Sequence, residues 1–137
     1  MYRYIIFFLL ALMILACSLD RSNPLDPQNN DIEIPNKVVI NPLPLVSIGV
    51  VHLTWERQNS VAVGYYIYRS MSHNGLYERI GTYIPADEDS LGTYDDYDED
   101  LENETWYYYK VSGYNVYGLE GYRSNYVYTN FLERHAE

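Results

Sequence analysis

The chain has 137 residues, of which 19 are acidic and 9 are basic, for a net charge of −10. This charge opposes binding to nucleic acid and attraction to anionic lipid headgroups, because both are themselves negative. The lone cysteine, Cys17, excludes an intrachain disulfide, and the length suffices for one domain.

The first residues have the pattern of an export signal. Residues 1–3 include Arg3, and residues 4–16 are almost wholly apolar. This run of about 13 residues fits a signal-peptide core and is shorter than the roughly 20 residues of a membrane span. It closes with Ile14-Leu15-Ala16-Cys17, which resembles the lipobox of bacterial lipoproteins. The resemblance implies that residues 1–16 are cleaved and that the Cys17 sulfur is lipidated. The alternative is an ordinary secretory signal that happens to contain a cysteine.

An acidic domain is not attracted to an anionic membrane, so its attachment would depend on lipid at Cys17. Two or more acyl chains hold a protein firmly at a bilayer. In lipoproteins of this kind, an Asp after the cysteine favours retention in the inner membrane. Ser18 stands there, so the resemblance implies the outer membrane in a source with two membranes. We expect a cell-envelope protein, either periplasmic or surface-exposed. Residues 17–36 are rich in proline and asparagine and indicate a flexible linker.

From residue 37 onward, short alternating runs are separated by turn residues. β-Branched and aromatic residues dominate them, with 17 tyrosines in the chain, and no helical period is present. These runs predict an all-β protein, an antiparallel β-sandwich of about seven strands over residues 37–130 with a tail at 131–137. The predicted strands are residues 37–41, 50–55, 65–69, 76–84, 105–115 and 122–129.

Several of these runs resemble a fibronectin type III domain, which has an immunoglobulin-like fold. Residues 51–55 look like its second strand and residues 64–70 like its third. The resemblance implies that Trp55 lies in the core and that Leu101 to Tyr107 forms the corner before the sixth strand. The chain departs from the family at Asn103-Glu104, where Pro-Gly is common. Such a likeness favours a fold and does not assign a function.

Strand alternation predicts one aromatic face. In the family, the third, sixth and seventh strands share a sheet, so residues that point outward from them would lie together. Aromatic side chains offer large contact areas, which suit a protein partner or stacked sugar rings. The alternative is that tyrosine fills exposed strand positions, where cross-strand pairs stabilise the sheet. The predicted binding face consists of Tyr66, Tyr68, Trp106, Tyr108, Lys110, Tyr126 and Tyr128.

An acidic run within residues 85–100 is a weak candidate for calcium binding. Asp96, Asp98 and Asp100 have the spacing that opens a calcium loop. The pattern then fails, because Leu101 replaces the turn glycine and Tyr107 stands where a bidentate Glu is needed. The other interpretation is a solvated acidic loop that aids solubility.

Catalytic patterns have little support in the sequence. No two of the three histidines, His52, His73 and His135, have metal-ligand spacing, and no Gly-x-Ser-x-Gly is present. We therefore expect no enzyme and no cofactor. The predicted role is a lipid-anchored binding or spacer module of the cell envelope that contacts an envelope protein through its tyrosine-rich face. Carbohydrate binding at the cell surface is the alternative.

Overall fold

The computed structural model describes residues 32–57, 61–86, 90–97, 99 and 101–134. The chain divides into two units, Met1–Ile32 and Glu33–Glu137, and the second contains all the described strands. The predictions for the signal peptide, for Cys17 and for the linker up to residue 31 lie outside the described residues. Within the residues that the structure describes, no helix is long and apolar enough to span a bilayer.

Seven strands form within the described residues. They are β1 (Val46–Ile48), β2 (Val51–Glu56), β3 (Gly64–Ser70), β4 (Glu78–Tyr83), β5 (Leu91–Asp96), β6 (Thr105–Tyr114) and β7 (Val127–Leu132). Five make one sheet in the order β1-β7-β6-β3-β4, and β2 pairs with β5 in a second. Every pairing is antiparallel except that of β1 with β7. The predicted all-β sandwich is confirmed.

The core lies between the two sheets, where their inward residues meet. In β2, Val51, Leu53 and Trp55 are fully buried, while their neighbours point outward. From the larger sheet, Ile67 and Tyr109 are also fully buried and belong to the same cluster. This alternation follows from the two-residue period of a strand, which sends successive side chains to opposite faces.

The last strand differs from its prediction because the chain before it folds as a loop. The side-chain oxygen of the buried Asn115 accepts hydrogen bonds from the backbone N–H groups of Tyr117 (3.0 Å) and Leu119 (2.9 Å). These bonds give the backbone an alternative to the strand ladder. Strand pairing with β6 resumes at Val127 and reaches Phe131, and β7 ends at Leu132, past the predicted boundary at residue 130. Phe131, assigned to the tail, is part of the core.

The first two strand segments also differ from the sequence patterns. Residues 37–41 form an isolated bridge, Ile40 to Trp55, rather than a strand. Pro42 and Pro44 follow, and proline has no N–H with which to extend a ladder. The chain then joins the edge of the other sheet as β1, which pairs with Asn130–Leu132 of β7. A three-residue strand is too short to show alternation in the sequence.

The strand β5 lies within the stretch interpreted as a solvated loop. Its residues pair with β2 in continuous register, from Val51–Asp96 to Glu56–Leu91. Gly92 and Asp96 are buried, and Tyr94 packs against the core. The interpretation of Asp96 as solvated is wrong, because its carboxylate is only 2% exposed and has partners inside the sandwich.

The predicted corner before β6 is present. Leu101 and Tyr107 are buried, and the Tyr107 hydroxyl oxygen accepts a hydrogen bond from the Glu102 backbone N–H at 2.8 Å. At the position where the family commonly has glycine, Glu104 adopts a φ of 57°. A side chain in that left-handed region costs roughly 1–2 kcal/mol. The tight entry into β6 is therefore retained despite a residue that does not favour it.

Candidate interaction surface

The outer face of the five-stranded sheet is built by alternation on β3, β6 and β7. Register places Tyr108 opposite Tyr128 across the β6–β7 pair, and Tyr68 opposite Lys110 across the β3–β6 pair. Opposed side chains on one face lie about 5 Å apart at Cβ. Six of the seven residues of the predicted binding face are thus carried by three adjacent strands of one sheet, and Tyr126 lies immediately before β7.

Four of these residues form a continuous cluster, here called the aromatic face: Trp106, Tyr108, Tyr126 and Tyr128. Tyr108 contacts both Tyr126 (5.6 Å between ring centroids) and Tyr128 (5.8 Å), and Trp106 contacts Tyr128 (5.8 Å). Trp106, Tyr126 and Tyr128 remain 42–43% exposed. The rings therefore pack against one another, and three of the four remain open to water.

Two residues of the segment between β3 and β4 extend the aromatic face, and sequence reasoning missed both. The His73 ring lies 6.0 Å from Tyr108 and 5.9 Å from Tyr126. Tyr77 lies beneath the ammonium of Lys110, which is 4.2 Å from its ring centroid. Burial, followed by the nearby Tyr126 and Tyr108, raises the pKa of Tyr77. No pattern in the sequence places this segment beside β6 and β7.

Tyr68 points to the outer face of the sheet, as predicted, but it is too deeply buried there to contact a partner. It is only 4% exposed, because the loop between β6 and β7 covers it. The Arg123 guanidinium lies 3.8 Å from its ring centroid, and its hydroxyl donates to Glu120 Oε1 at 2.8 Å. The inclusion of Tyr68 in an exposed binding face is therefore corrected: strand alternation gives the direction of a side chain but not what lies above it.

The carboxylate that covers Tyr68 is firmly held. Glu120 also accepts hydrogen bonds from the Ser112 hydroxyl at 2.7 Å and from Arg123 Nε at 3.3 Å. Partial burial opposes ionisation, but the bonds from Ser112, Tyr68 and Arg123 outweigh it and lower the pKa of Glu120. The loop is thus tied to the sheet by a charged network.

Tyr66 is separate from the aromatic face. Its ring stacks on Tyr114 at 4.4 Å, and Arg79 of β4 lies 4.7 Å from its centroid. These contacts leave it half-buried. Lys110 lies between the two aromatic groups, opposite Tyr68.

The acidic run has a structural use for one of its members. Arg69 Nη1 lies 3.1 Å and 3.2 Å from the two carboxylate oxygens of Asp96, and the Tyr109 hydroxyl donates to Asp96 Oδ2 at 2.8 Å. Burial, strengthened by the Asp96 charge, raises the pKa of Tyr109 far above its ordinary value. Asp96 thereby links β5 to β3 and β6 across the sandwich.

Asp96, the first ligand of the predicted calcium site, is instead bound by Arg69 and Tyr109. Asp98 and Asp100 lie outside the described residues. Across the described ranges, no group of three His, Cys, Asp or Glu side chains is arranged to hold a metal ion. Calcium binding has no support in the geometry of Asp96.

The opposite sheet carries a smaller polar cluster. His52 Nδ1 contacts the Asp95 carboxylate, and the Tyr97 hydroxyl donates to Asp95 Oδ2 at 2.6 Å. The bonds from Tyr97 and His52 lower the pKa of Asp95. The His52 side chain is 58% exposed, as alternation predicts for an outward residue of β2. The three side chains lie on an open strand surface.

Comparisons with known proteins bear on the fold. No protein-family profile matches the chain, and no curated protein is significantly similar in sequence. Among solved structures, the chicken CNTN1 FN1–FN3 domains match with a TM-score of 0.55 and 19% identity over 76% of this chain and 37% of that one. The third fibronectin III domain of human KIAA0343 matches with a TM-score of 0.50 and 20% identity over 80% and 90% of the two chains.

The domain has the fibronectin type III fold. A third similar structure is a β-1,2-glucanase from Parabacteroides distasonis, with a TM-score of 0.57 and 21% identity over 73% of this chain. The match spans only 13% of the glucanase chain. At these identities the likeness shows the fold alone, and this fold serves many functions in different proteins. A fibronectin type III fold is consistent with a non-catalytic binding or spacer module.

Proposed function

We propose that this chain is a non-catalytic module of the cell envelope that binds another protein through the aromatic face. The single observation that carries the proposal is the exposed cluster of Trp106, Tyr108, Tyr126 and Tyr128 on one sheet. Trp and Tyr are enriched among the residues that dominate binding energy, with losses of 2 kcal/mol or more on truncation. A contiguous aromatic area facing water is typical of a contact surface.

Removal of the exposed rings is expected to reduce partner capture at least about tenfold, since one dominant residue is worth about 2 kcal/mol or more and about 1.4 kcal/mol corresponds to a factor of ten in affinity. The variant Trp106→Ser/Tyr126→Ser/Tyr128→Ser is compared with the wild type as bait in envelope extract. Cross-strand aromatic pairs contribute about 0.2–1 kcal/mol each, so the triple variant remains folded, as a thermal melt checks.

The matched control is Tyr117→Ser/Tyr122→Ser, because these tyrosines are 60% and 80% exposed and lie in the loop between β6 and β7. Partners should be captured by this double variant as by the wild type. Equal capture by the triple variant and by the control would refute the aromatic face as the contact surface.

Carbohydrate is the second candidate partner. The similarity to a small part of a β-1,2-glucanase favours it. The ring geometry favours protein, because Trp106 and Tyr126 are tilted by 52° relative to Tyr128 and thus present no flat platform for a sugar. Glycan-array binding that the triple variant abolishes would establish the carbohydrate function instead.

We further propose that lipid on Cys17 holds the module at a membrane, probed by fractionation of cells. The basis is the apolar run ending in Ile14-Leu15-Ala16-Cys17. Cys17→Ser should move the protein from the membrane pellet to the soluble fraction, because no acyl chain can then be attached. Ser18→Ala is the control and should stay in the pellet. Retention of Cys17→Ser in the pellet would contradict lipid attachment at this residue.

A further inference from the structure

Three cations of the outer face lie near aromatic or amide groups rather than carboxylates, whereas a fourth, Arg123, pairs with Glu120 at 3.3 Å. Arg79 lies over Tyr66, and Lys110 lies over Tyr77. At one end of the face, Lys37 Nζ donates to Asn125 Oδ1 at 2.7 Å. Within the described part of the chain, no Asp or Glu oxygen lies 4.0 Å or less from the side-chain nitrogens of Lys37, Arg79 or Lys110, so none of the three forms an ion pair there. Three positive groups on one surface thus have no ionic partner there.

This distribution is unexpected for the composition. Acidic residues outnumber basic ones by 19 to 9, so most cations should find a carboxylate nearby. Instead, the outward positions on β3, β6 and β7, and Tyr126 beside them, carry aromatic, hydroxyl, amide, leucine and lysine side chains and no carboxylate. Glu120 lies over the face, but it already binds Ser112, Tyr68 and Arg123. The face is a positively charged aromatic surface on a negatively charged domain.

A groove continues this surface beyond Tyr126. It has a volume of about 360 Å³ and lies between the chain before β1 and the start of β7. Lys37 stands at its side and Val39, 55% exposed, forms part of its wall. A chain segment lying along Tyr126 would therefore contact an apolar groove and a cation together.

We infer that the partner of the aromatic face is an acidic segment of another protein, whose carboxylates pair with Lys37, Lys110 and Arg79. This inference rests on the proposed function and specifies the partner's charge. Complementary charge selects partners and suppresses wrong ones more than it raises affinity. A symmetric second copy is disfavoured, because an isologous contact would set Lys37, Arg79 and Lys110 of one copy against the same cations of the other.

The test uses a random copolymer of Glu and Tyr, immobilised and titrated with the purified domain at fixed ionic strength. Lys110→Met and Arg79→Met are each expected to weaken binding about two- to fivefold, the range of a single exposed ion pair. The triple charge variant, Lys37→Met/Arg79→Met/Lys110→Met, should weaken binding about tenfold or more, because the losses from the three cations combine. Arg134 lies against Gly49 in the turn between β1 and β2, so Arg134→Met removes the same charge elsewhere and should bind as the wild type does.

Four outcomes would overturn the inference. They are unchanged binding by the triple charge variant, equal binding to a Lys and Tyr copolymer, preference for the acidic polysaccharide polygalacturonate, and concentration-dependent self-association of the domain in sedimentation. Capture lost in Trp106→Ser/Tyr126→Ser/Tyr128→Ser but retained in the charge variant would leave the proposed function intact. Capture retained in both would contradict both proposals.

Discussion

The substitution Asp96→Ala is expected to lower the free energy of unfolding by about 3–5 kcal/mol, because it breaks a buried charge pair from one side. The substitution removes the carboxylate that binds the Arg69 guanidinium and accepts from the Tyr109 hydroxyl. Arg69 is largely buried, with 16% of its side chain exposed, and Tyr109 is fully buried. Total stabilities of domains are about 5–15 kcal/mol, so this single change would consume a large share.

Urea unfolding measures the change in the free energy of unfolding. Two further variants separate the contribution of the hydrogen bond from that of the buried charge. Tyr109→Phe keeps the ion pair and removes one hydrogen bond, for an expected loss of about 0.5–1.5 kcal/mol. Asp95→Ala removes the neighbouring carboxylate, which lies on the outer strand surface with His52 and Tyr97, and should cost less than about 1 kcal/mol. Equal losses for Asp95→Ala and Asp96→Ala would show that the buried network does not stabilise the sandwich.

The substitution Gly92→Ala is expected to lower the free energy of unfolding by about 1–3 kcal/mol, the usual cost of overpacking a core. Gly92 lies opposite Trp55 in the β2–β5 pair, and the indole covers its Cα so closely that an added Cβ would overlap the ring. The indole is fully buried, and its N–H has no hydrogen-bond partner among the described residues. Its position is therefore set by packing, and a methyl group must displace it.

The sign of this effect is diagnostic. Alanine in place of glycine within a strand ordinarily stabilises by about 0.5–1 kcal/mol, because glycine loses more chain entropy on folding. Thr93→Ala, at the exposed neighbouring position, is the control and should change stability by about 0.5 kcal/mol or less. A thermal or urea melt in which Gly92→Ala is as stable as the wild type would contradict the close packing of Trp55 on β5.

Local patterns were sufficient for much of the fold. The resemblance correctly placed Trp55 in the core and Leu101 and Tyr107 at the corner, and the alternation of β2 agrees, because Val51 and Leu53 are buried on the same side as Trp55. This succeeds because the direction of a side chain from a strand depends only on its position in the chain. The same rule correctly placed Trp106, Tyr126 and Tyr128 on an exposed surface, although their binding role stays a prediction.

Long-range contacts explain the failures. The strand β5 was missed because Asp95 and Asp96 look like solvent-seeking residues. The partner that allows Asp96 to be buried, Arg69, lies 27 residues earlier in the chain. No residue within 85–100 indicates that Arg69 is nearby, so an interpretation of this segment alone predicts that its carboxylates are solvated.

Sequence and tertiary structure each determine part of the aromatic surface. The sequence by itself determined which side of each strand a residue faces, because the period of a strand is local. Only the tertiary structure decided which outward residues meet solvent. The β6–β7 loop buries Tyr68 beneath Arg123, and the β3–β4 segment brings His73 to the exposed rings. These contacts depend on where distant segments pack, and packing is a property of the whole folded chain.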